Sequence, residues 1–341
     1  MDKYNILHNT NNKTRIAAID GWRFLFALLI VWHHLPWGDG MLHTMGWVPV
    51  SFFLIVSGYL SQPSDTSNLS KYYLRKFFRI FPIYWICLVV SLILTIPIRS
   101  FWTIDNLLGI LKNIFMFQAY FPTDDVDVYL NLPAWFLSVL VLFYVLLPFF
   151  QKLQQRNPHG FAIGVGFYYI LVVIITWLFW GGSQQVRVFN PLARISECMI
   201  GMVLAYYLKN KNVANYHKYL SLILLVVFIF VCRGVPLEYV RPYLAIPVMA
   251  YLCVSWVYVS LSDRLSAVCN KMGMVSMEVY MWHVLVILGL IRVQDIVGIE
   301  LNKYVLIVLV YIITLLVAFL YKKYIGTRIS KIEKCVIAKY A

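Results

Sequence analysis

The first long apolar stretch of the chain carries side chains that can transfer protons and bind anions. Residues 16–35 read IAAIDGWRFLFALLIVWHHL, which is long enough to span a membrane. The stretch nevertheless contains four ionisable residues: Asp20, Arg23, His33 and His34. Imidazole is a base near neutral pH, whereas a guanidinium is a permanent cation. Because ionisable groups at membrane depth are costly and tend to mark functional sites, the stretch predicts a reaction centre or substrate path.

The spacing of Arg23 and His34 places both side chains on one face of a helix. The eleven steps from Arg23 to His34 turn the helix by about 1100°, close to three full turns. His33 is turned away by about 100°, whereas Asp20 lies only about 60° off the face and can pair with Arg23. The structural alternative is that Arg23 and Asp20 pair at the interface and the histidines merely end the span.

The composition is typical of a polytopic membrane protein rather than a soluble one. Of the 341 residues, 61% are hydrophobic and 13% charged, and the mean hydropathy is +0.74. A net charge of +14 could favour nucleic acid, but that requires a basic soluble face, and the chain has no segment to form one. The six cysteines lie mostly in apolar runs without paired spacing, so we expect no disulfide framework and no metal site.

Ten apolar segments predict an all-α fold with about ten transmembrane helices. They comprise residues 16–35, 46–62, 78–97, 133–151, 161–180, 192–208, 218–233, 241–261, 275–291 and 302–321. An eleventh segment, 100–121, contains Asp105, Lys112 and Gln118. If it crossed, the acidic loop 123–131 would lie inside, so we predict a non-crossing helix.

The distribution of Lys and Arg predicts that both termini are cytoplasmic, because positive charge concentrates on the inner side of short loops. Residues 1–15 would then form a cytoplasmic N-terminal segment and 322–341 a cytoplasmic basic tail. Loops between the apolar segments are short and show no fixed repeat, so residues 1–341 are predicted to form a single integral-membrane domain.

A basic stripe precedes the third apolar segment. Lys71, Arg75 and Arg79 recur at every fourth residue, with Lys76 beside them, so one helical end presents several cations. The stripe predicts a phosphate-binding site, and the alternative is ordinary inner-side charge in contact with lipid headgroups.

Two later segments carry polar side chains inside apolar helices. Arg194 and Glu197 are three residues apart and predict either an internal ion pair or a contact to a polar substrate near the outer mouth. Ser276, Tyr280 and His283 fall on one helical face, although a lone His also serves as a hydrogen-bonding partner for a neighbouring helix.

These motifs, in this order, resemble those of the membrane-bound acyltransferase-3 superfamily, bacterial integral-membrane enzymes that O-acylate glycans and other small acceptors. The matching residues are Arg23 and His34; Phe52, Phe53, Ser57, Gly58 and Tyr59; Arg79, Ile80, Phe81 and Pro82; Trp135, Leu137, Phe143 and Tyr144; and Ser276, Tyr280 and His283. Two positions depart from the pattern. Lys76 stands where an Arg is usual, with Arg75 beside it, and Leu140 stands where many members have a Glu.

The resemblance implies a cytoplasmic acyl-CoA donor, usually acetyl-CoA, and a hydroxyl acceptor on a lipid-linked or exported saccharide. It implies a bacterial cytoplasmic membrane, surrounding membrane lipids and no nucleic-acid partner. The catalytic candidates are His34, Arg23 and His283, and the donor-binding candidates are Arg79, Lys76 and Arg75. The substrate-binding candidates are Arg194, Glu197, Trp135, Tyr144, Ser276 and Tyr280. His34 would deprotonate the acceptor or carry the acyl group itself, and both routes stay open.

Two other functions use the same residues. A transporter of a polysaccharide or small solute would use the buried charges as a substrate path. The chain shows no inverted repeat and no matching pair of Gly/Pro-interrupted helices, which weighs against this alternative. An inactive membrane binding domain would bind a donor without turnover.

Overall fold

The regular secondary structure of the described residues is entirely helical. A computed structural model describes residues 16–40, 43–46, 48–61, 66–95, 103–121, 130–179, 189–208, 211, 213–234 and 241–340. The predicted N-terminal segment 1–15 and most of the acidic loop 123–131 lie outside these ranges.

Thirteen α-helices are assigned within the described ranges. They are α1 (Ala17–His34), α2 (Val48–Tyr59), α3 (Leu69–Thr95), α4 (Ile104–Ile114), α5 (Trp135–Arg156), α6 (Pro158–Phe179), α7 (Pro191–Leu208), α8 (Tyr216–Gly234), α9 (Arg241–Val257), α10 (Asp263–Gly273), α11 (Ser276–Val297), α12 (Lys303–Leu320) and α13 (Thr327–Tyr340). Each of the ten predicted apolar segments coincides with one of these helices.

Five helical stretches in the described part of the chain are long and apolar enough to cross a membrane. They are Leu69–Thr95, Leu132–Arg156, Pro158–Leu178, Ser276–Val297 and Lys303–Tyr340. Three more helices are apolar but shorter, and α2, with 12 residues, is only about 18 Å long against a hydrocarbon thickness of about 30 Å. By length and composition, therefore, the chain meets the criterion for five crossings, and the predicted count of ten stays a prediction.

Helix α4 occupies the predicted non-crossing segment. Its 11 residues extend about 16 Å, roughly half the hydrocarbon thickness, so this helix alone is too short to cross it, and the non-crossing placement stays a prediction. Its apolar residues Ile104 and Leu108 are exposed. On the other side, Tyr84 and Trp85 of α3 donate hydrogen bonds to the carbonyls at its end. The helix is therefore docked on α3 with an apolar face turned outward.

Helix α2 lies in the interior, since all but one of its 12 residues are buried. It packs against α7 and α9. Two glycines make the approach to α7 possible. A Cβ on Gly58 would lie 1.8 Å from the Cys198 carbonyl oxygen, and one on Gly201 would lie 2.1 Å from that of Ile55. Small residues thus allow backbone contact between these helices, as they do in other membrane bundles.

Helix α1 is held between α10 and α11. Gly273, at the end of α10, leaves room for Asp20, because a Cβ there would lie 2.4 Å from the Asp20 Cβ. A Cβ on Gly21 of α1 would likewise lie 2.9 Å from the Cys269 Sγ of α10. The amphipathic helix α10 was not anticipated from hydropathy, yet it fixes the acidic end of α1.

The basic tail is helical and packs against the protein. Helix α12 continues through a π-helical turn, Tyr321–Gly326, into α13, which contacts α3. Lys322 in this turn pairs with Glu278 of α11 at 2.8 Å. The basic residues of α13 therefore lie beside the helix that carries the basic stripe.

Candidate active site

The rings of His34 and His283 contact each other where α1 ends against α11. His283 Nε2 lies 3.2 Å from His34 Nδ1, and the ring centroids are 4.9 Å apart. His283 is fully buried, whereas His34 is half-buried. The structure thus joins two of the predicted catalytic residues, which are 249 positions apart in the chain.

The hydrogen bonds of this pair define its proton positions. His34 Nδ1 lies 2.9 Å from the Ile30 carbonyl oxygen, which can only accept, so Nδ1 carries the proton. His283 Nε2, at 3.2 Å, is then a second acceptor that shares this one proton with the Ile30 carbonyl, and neutral His283 is protonated on Nδ1. Nδ1 of His283 is buried and has no hydrogen-bond partner among the described residues. His34 Nε2 is left as a free lone pair, with no hydrogen-bond partner in the described part of the chain.

His33 contacts a different part of the molecule. Its Nδ1 donates to the backbone carbonyl of His43, and His43 Nε2 donates to that of Leu35 at 2.9 Å. Gly46 packs directly on the His33 ring, since a Cβ there would lie 2.1 Å from it. His33 and His43 therefore fasten the segment that follows α1 onto the helix end.

Arg23 lies on the same face of α1 as His34, with Ala27 and Ile30 buried between them. Its Nη1 is 3.1 Å from Asp20 Oδ1, so the expected ion pair is present. The guanidinium is also within electrostatic range of Arg79. At 1.5 Å per residue, Arg23 and His34 are about 16 Å apart along the axis.

The basic stripe meets Tyr144 of α5. The Lys76 ammonium lies 3.8 Å from the centroid of the Tyr144 ring and 5.4 Å from that of Tyr72, which are cation–π distances. Arg75 and Arg79 are exposed at the same helical end. Cations from α1 and α3 therefore converge beside one aromatic residue, and an anion can enter there from the solvent side.

Arg194 and Glu197 form an ion pair in the interior. Arg194 Nε is 2.6 Å from Glu197 Oε1, both side chains are 1% exposed, and Ser51 of α2 lies 3.2 Å from Arg194 Nη2. The Trp135 ring lies 5.6 Å from the guanidinium carbon. The pair therefore links α2, α5 and α7, and its burial is compensated by charge, a hydroxyl and an aromatic face.

Tyr280 and Asn131 connect α11 to the segment before α5. The Tyr280 hydroxyl donates to the Pro133 carbonyl at 2.8 Å, and Asn131 Nδ2 donates to the Met281 carbonyl at 3.3 Å. These two contacts lie immediately before His283 in the chain and hold its helix in place. The Ser276 hydroxyl instead donates a hydrogen bond to the Gly273 carbonyl at 3.0 Å, at the start of α11.

Sequence reasoning missed Asn131, His43 and the partnership of Ser51 with Arg194. Asn131 and His43 make their contacts from short irregular segments, and Ser51 contacts Arg194 from a distant part of the chain. Neither arrangement produces a helical periodicity in the sequence. Glu278, which is turned away from the His283 face, pairs with Lys322. Among the described residues, no group of three or more His, Cys, Asp or Glu is arranged to hold a metal ion.

The family model for an acyltransferase domain matches residues 16–323, which include every site residue described above. The chain belongs to the acyltransferase-3 family. This confirms the resemblance seen in the motifs. No curated protein and no solved structure matches the chain. Membership in the acyltransferase-3 family supports acyl transfer as the reaction class, and the long apolar helices suggest a membrane protein.

Proposed function

We propose that the protein is an O-acetyltransferase that takes an acyl group from cytoplasmic acyl-CoA and transfers it to a hydroxyl of a cell-envelope or exported saccharide. It would act in the bacterial cytoplasmic membrane. The observation that supports this best is the contact between His34 and His283, which leaves one imidazole nitrogen free at the end of a face that begins at Arg23.

The donor would bind at the cations around Tyr144. Arg79, Lys76 and Arg75 would hold the phosphates of coenzyme A, since guanidinium and ammonium groups form charge-assisted hydrogen bonds with phosphate oxygens. Arg23 lies between this cluster and His34, so the acyl-bearing arm would extend past Arg23 toward His34.

The transfer needs a base at the acceptor hydroxyl. In the direct route, His34 Nε2 takes the hydroxyl proton while the oxygen attacks the thioester carbonyl. The carbon–sulfur bond then breaks, and the thiolate leaves and receives the proton. In the two-step route, Nε2 attacks the thioester carbonyl, the carbon–sulfur bond breaks and the thiolate leaves. The acceptor hydroxyl then attacks the acyl carbon, the bond from that carbon to Nε2 breaks, and the hydroxyl proton passes to the released Nε2 or to the thiolate. In both routes His283 accepts the Nδ1 hydrogen bond and stabilises a positive His34 ring.

The acceptor would approach from the side of Arg194, Glu197 and Trp135, with Tyr144 on the donor side. The ion pair is fully buried, so it would act on the acceptor indirectly. The contact would pass through the Ser51 hydroxyl or through Trp135, whose ring lies against the Arg194 guanidinium. Tyr280 and Ser276 already bond to backbone carbonyls, so they would position His283 and the start of α11 rather than bind substrate.

Replacement of the two adjacent histidines tests this proposal. Purified His34→Ala and His33→Ala proteins are compared with wild type for consumption of acetyl-CoA, measured as free thiol, and for acetyl transfer to surface glycans in cells at matched expression. Loss of a general base costs about 10² to 10⁴ in rate, so His34→Ala should be at least about tenfold less active than His33→Ala. Thermal unfolding and acetyl-CoA binding of both variants control for folding.

Three results would contradict the proposal. Equal activity in the two variants would remove His34 from the chemistry. Acetyl-CoA binding without consumption in wild type would favour an inactive binding domain. Solute movement across a bilayer without any acetyl-CoA consumption would favour a transporter.

A further inference from the structure

An apolar groove lies between α5, α6 and α7, away from the candidate active site. Its volume is about 580 Å³. Leu142 and Leu146 of α5 form one wall, Val165 of α6 another, and Met199 of α7 a third. The lining is almost entirely apolar, so water has few hydrogen-bond partners within the groove.

The groove opens toward the surroundings of α6. Only 11% of the span of this helix is buried, which makes α6 the least buried of the five candidate spans. Gly164 lines the groove, and a Cβ built on it would meet no atom within 4 Å. The missing side chain therefore leaves open space on a helix that faces the bilayer.

One end of the groove is cationic. Arg156 and Asn157 line it there, and Arg156 is exposed. No Asp or Glu occurs in residues 130–179, and no described ion pair includes Arg156. Thr66, just before α3, bonds to Gln151 near the end of α5. The Arg156 end therefore lies on the same side as the basic stripe.

The groove has the length of one bilayer leaflet. Along α5, Leu142 and Arg156 are 14 residues apart, or about 21 Å. Along α6, Gly160 and Tyr168 are about 12 Å apart. One leaflet of the hydrocarbon core is about 15 Å thick. A chain that starts at Arg156 would therefore end near the bilayer midplane.

We propose that this groove binds one acyl chain of an anionic phospholipid, with the phosphate on Arg156. An empty groove would forfeit dispersion contacts along its lining, and a hydrocarbon chain restores them. Because lipid tails are as apolar as the lining, burial alone gives little preference for the groove over bulk bilayer. Retention therefore depends on the fit of the chain and on the charge-assisted hydrogen bonds between guanidinium and phosphate.

Two glycines on α6 provide a matched test. Gly164 and Gly166 are both exposed and both open beyond 4 Å, but only Gly164 lines the groove. Replacement of either by Leu raises helix propensity equally. The two variants and wild type are purified, given phosphatidylglycerol or phosphatidylcholine, and examined by native mass spectrometry. Wild type and Gly166→Leu should retain one phosphatidylglycerol, and Gly164→Leu should retain it about tenfold less, a difference of about 1.4 kcal/mol.

The headgroup contact is tested separately with Arg156→Gln. This variant should lose the preference for phosphatidylglycerol over phosphatidylcholine while it still retains a lipid. Equal retention of phosphatidylglycerol by Gly164→Leu and Gly166→Leu would overturn the groove as the site. A wild-type protein without preference between the two lipids would overturn the selection of an anionic headgroup by Arg156.

Two controls keep the result clear. If Gly164→Leu fails to fold, Leu146→Trp fills the groove from the α5 wall and should reduce retention in the same way. Mass and cross-linking are also compared between wild type and Gly164→Leu. A change of oligomeric state with no change in lipid retention would show that a second copy of the chain covers this face, and would overturn the proposal.

Discussion

His33 and His34 are adjacent in the chain, but their rings contact different parts of the molecule. Helical geometry predicts this separation, because neighbouring side chains point about 100° apart. Geometry could not supply the partners. His283 reaches His34 from 249 residues away, and His43 reaches His33 from an irregular segment, so both contacts depend on tertiary packing. The face occupied by a candidate residue is thus predictable, while the identity of its neighbour is not.

Arg79 should contribute more to donor binding than Lys71 does, because of its position on α3. Arg79 is within electrostatic range of Arg23, whereas Lys71 lies eight residues, or about 12 Å, farther from it along the axis of α3. Arg79→Ala should therefore raise the KM for acetyl-CoA more than Lys71→Ala does, and added salt should reduce the difference because it screens the exposed charge of Arg79. Steady-state kinetics at two ionic strengths measure this. Equal KM values for the two variants would exclude Arg79 from the donor site.

The ion pair of Arg194 and Glu197 predicts a pattern of stabilities among single and double variants. Removal of one partner leaves the other charge buried and unpaired, so Arg194→Met and Glu197→Met should each lower the free energy of unfolding by about 3–5 kcal/mol. The double variant replaces both charges by apolar groups and should recover most of that loss. Thermal unfolding in detergent measures the stability of all three proteins.

Activity of the same double variant separates two roles of the pair. If the pair only stabilises the fold, the stable double variant should keep wild-type acetyl transfer. If it also acts on the acceptor, as proposed, transfer should fall while the protein stays folded. A double variant as unstable as the single ones would contradict the account of the pair as mutually compensating charges.

At the scale of helices, hydropathy predicted which segments are helical but not how the short amphipathic ones are placed. Gly58 of the second apolar segment contacts the backbone of α7, a contact that hydropathy could not indicate. Helix α10 and the helical tail α13 lack a long apolar run, so a search for spans could not detect them. Both are docked by tertiary contacts, α10 against α1 and α13 against α3.

Two glycine substitutions should have opposite effects on stability, one where α7 crosses α2 and one on an open face of α11. A Cβ on Gly201 would lie 2.1 Å from a backbone oxygen, so Gly201→Ala must separate the two helices and should cost about 1–3 kcal/mol. Gly289 of α11 has no atom within 4 Å of a Cβ, and Gly289→Ala should be neutral or stabilising because alanine favours the helix. Thermal unfolding of both proteins provides the comparison. Equal stability would mean that the two helices are not in backbone contact.

At the scale of the whole molecule, several basic groups lie on one side of the bundle. The stripe of α3 lies beside α13, and Tyr72 at the start of α3 donates a hydrogen bond to the Tyr144 carbonyl in α5. The charge distribution along the sequence predicted that these segments share the cytoplasmic side. Packing joins them physically, which explains how a donor site can draw cations from more than one helix.

The orientation of the chain can be measured with a cysteine it already contains. Cys335 of α13 is exposed, while Cys87, Cys198, Cys232 and Cys253 are buried. With a cytoplasmic C-terminus, an impermeant maleimide should label Cys335 only after cells are permeabilised. Cys269 is partly buried, so its replacement by Ser removes any contribution from that thiol.

A second position reports the opposite side. Asp39 is 81% exposed and lies 3.8 Å from Lys303, where α12 begins. From Lys303 to Cys335 the continuous helix advances 32 steps, or about 48 Å, which exceeds the hydrocarbon thickness of about 30 Å. Asp39→Cys, made with Cys335→Ser and Cys269→Ser, should therefore be labelled in intact cells. If Asp39→Cys and Cys335 were labelled from the same side, this helix could not cross the membrane, and the proposed transfer from a cytoplasmic donor to an outer acceptor would lose its path.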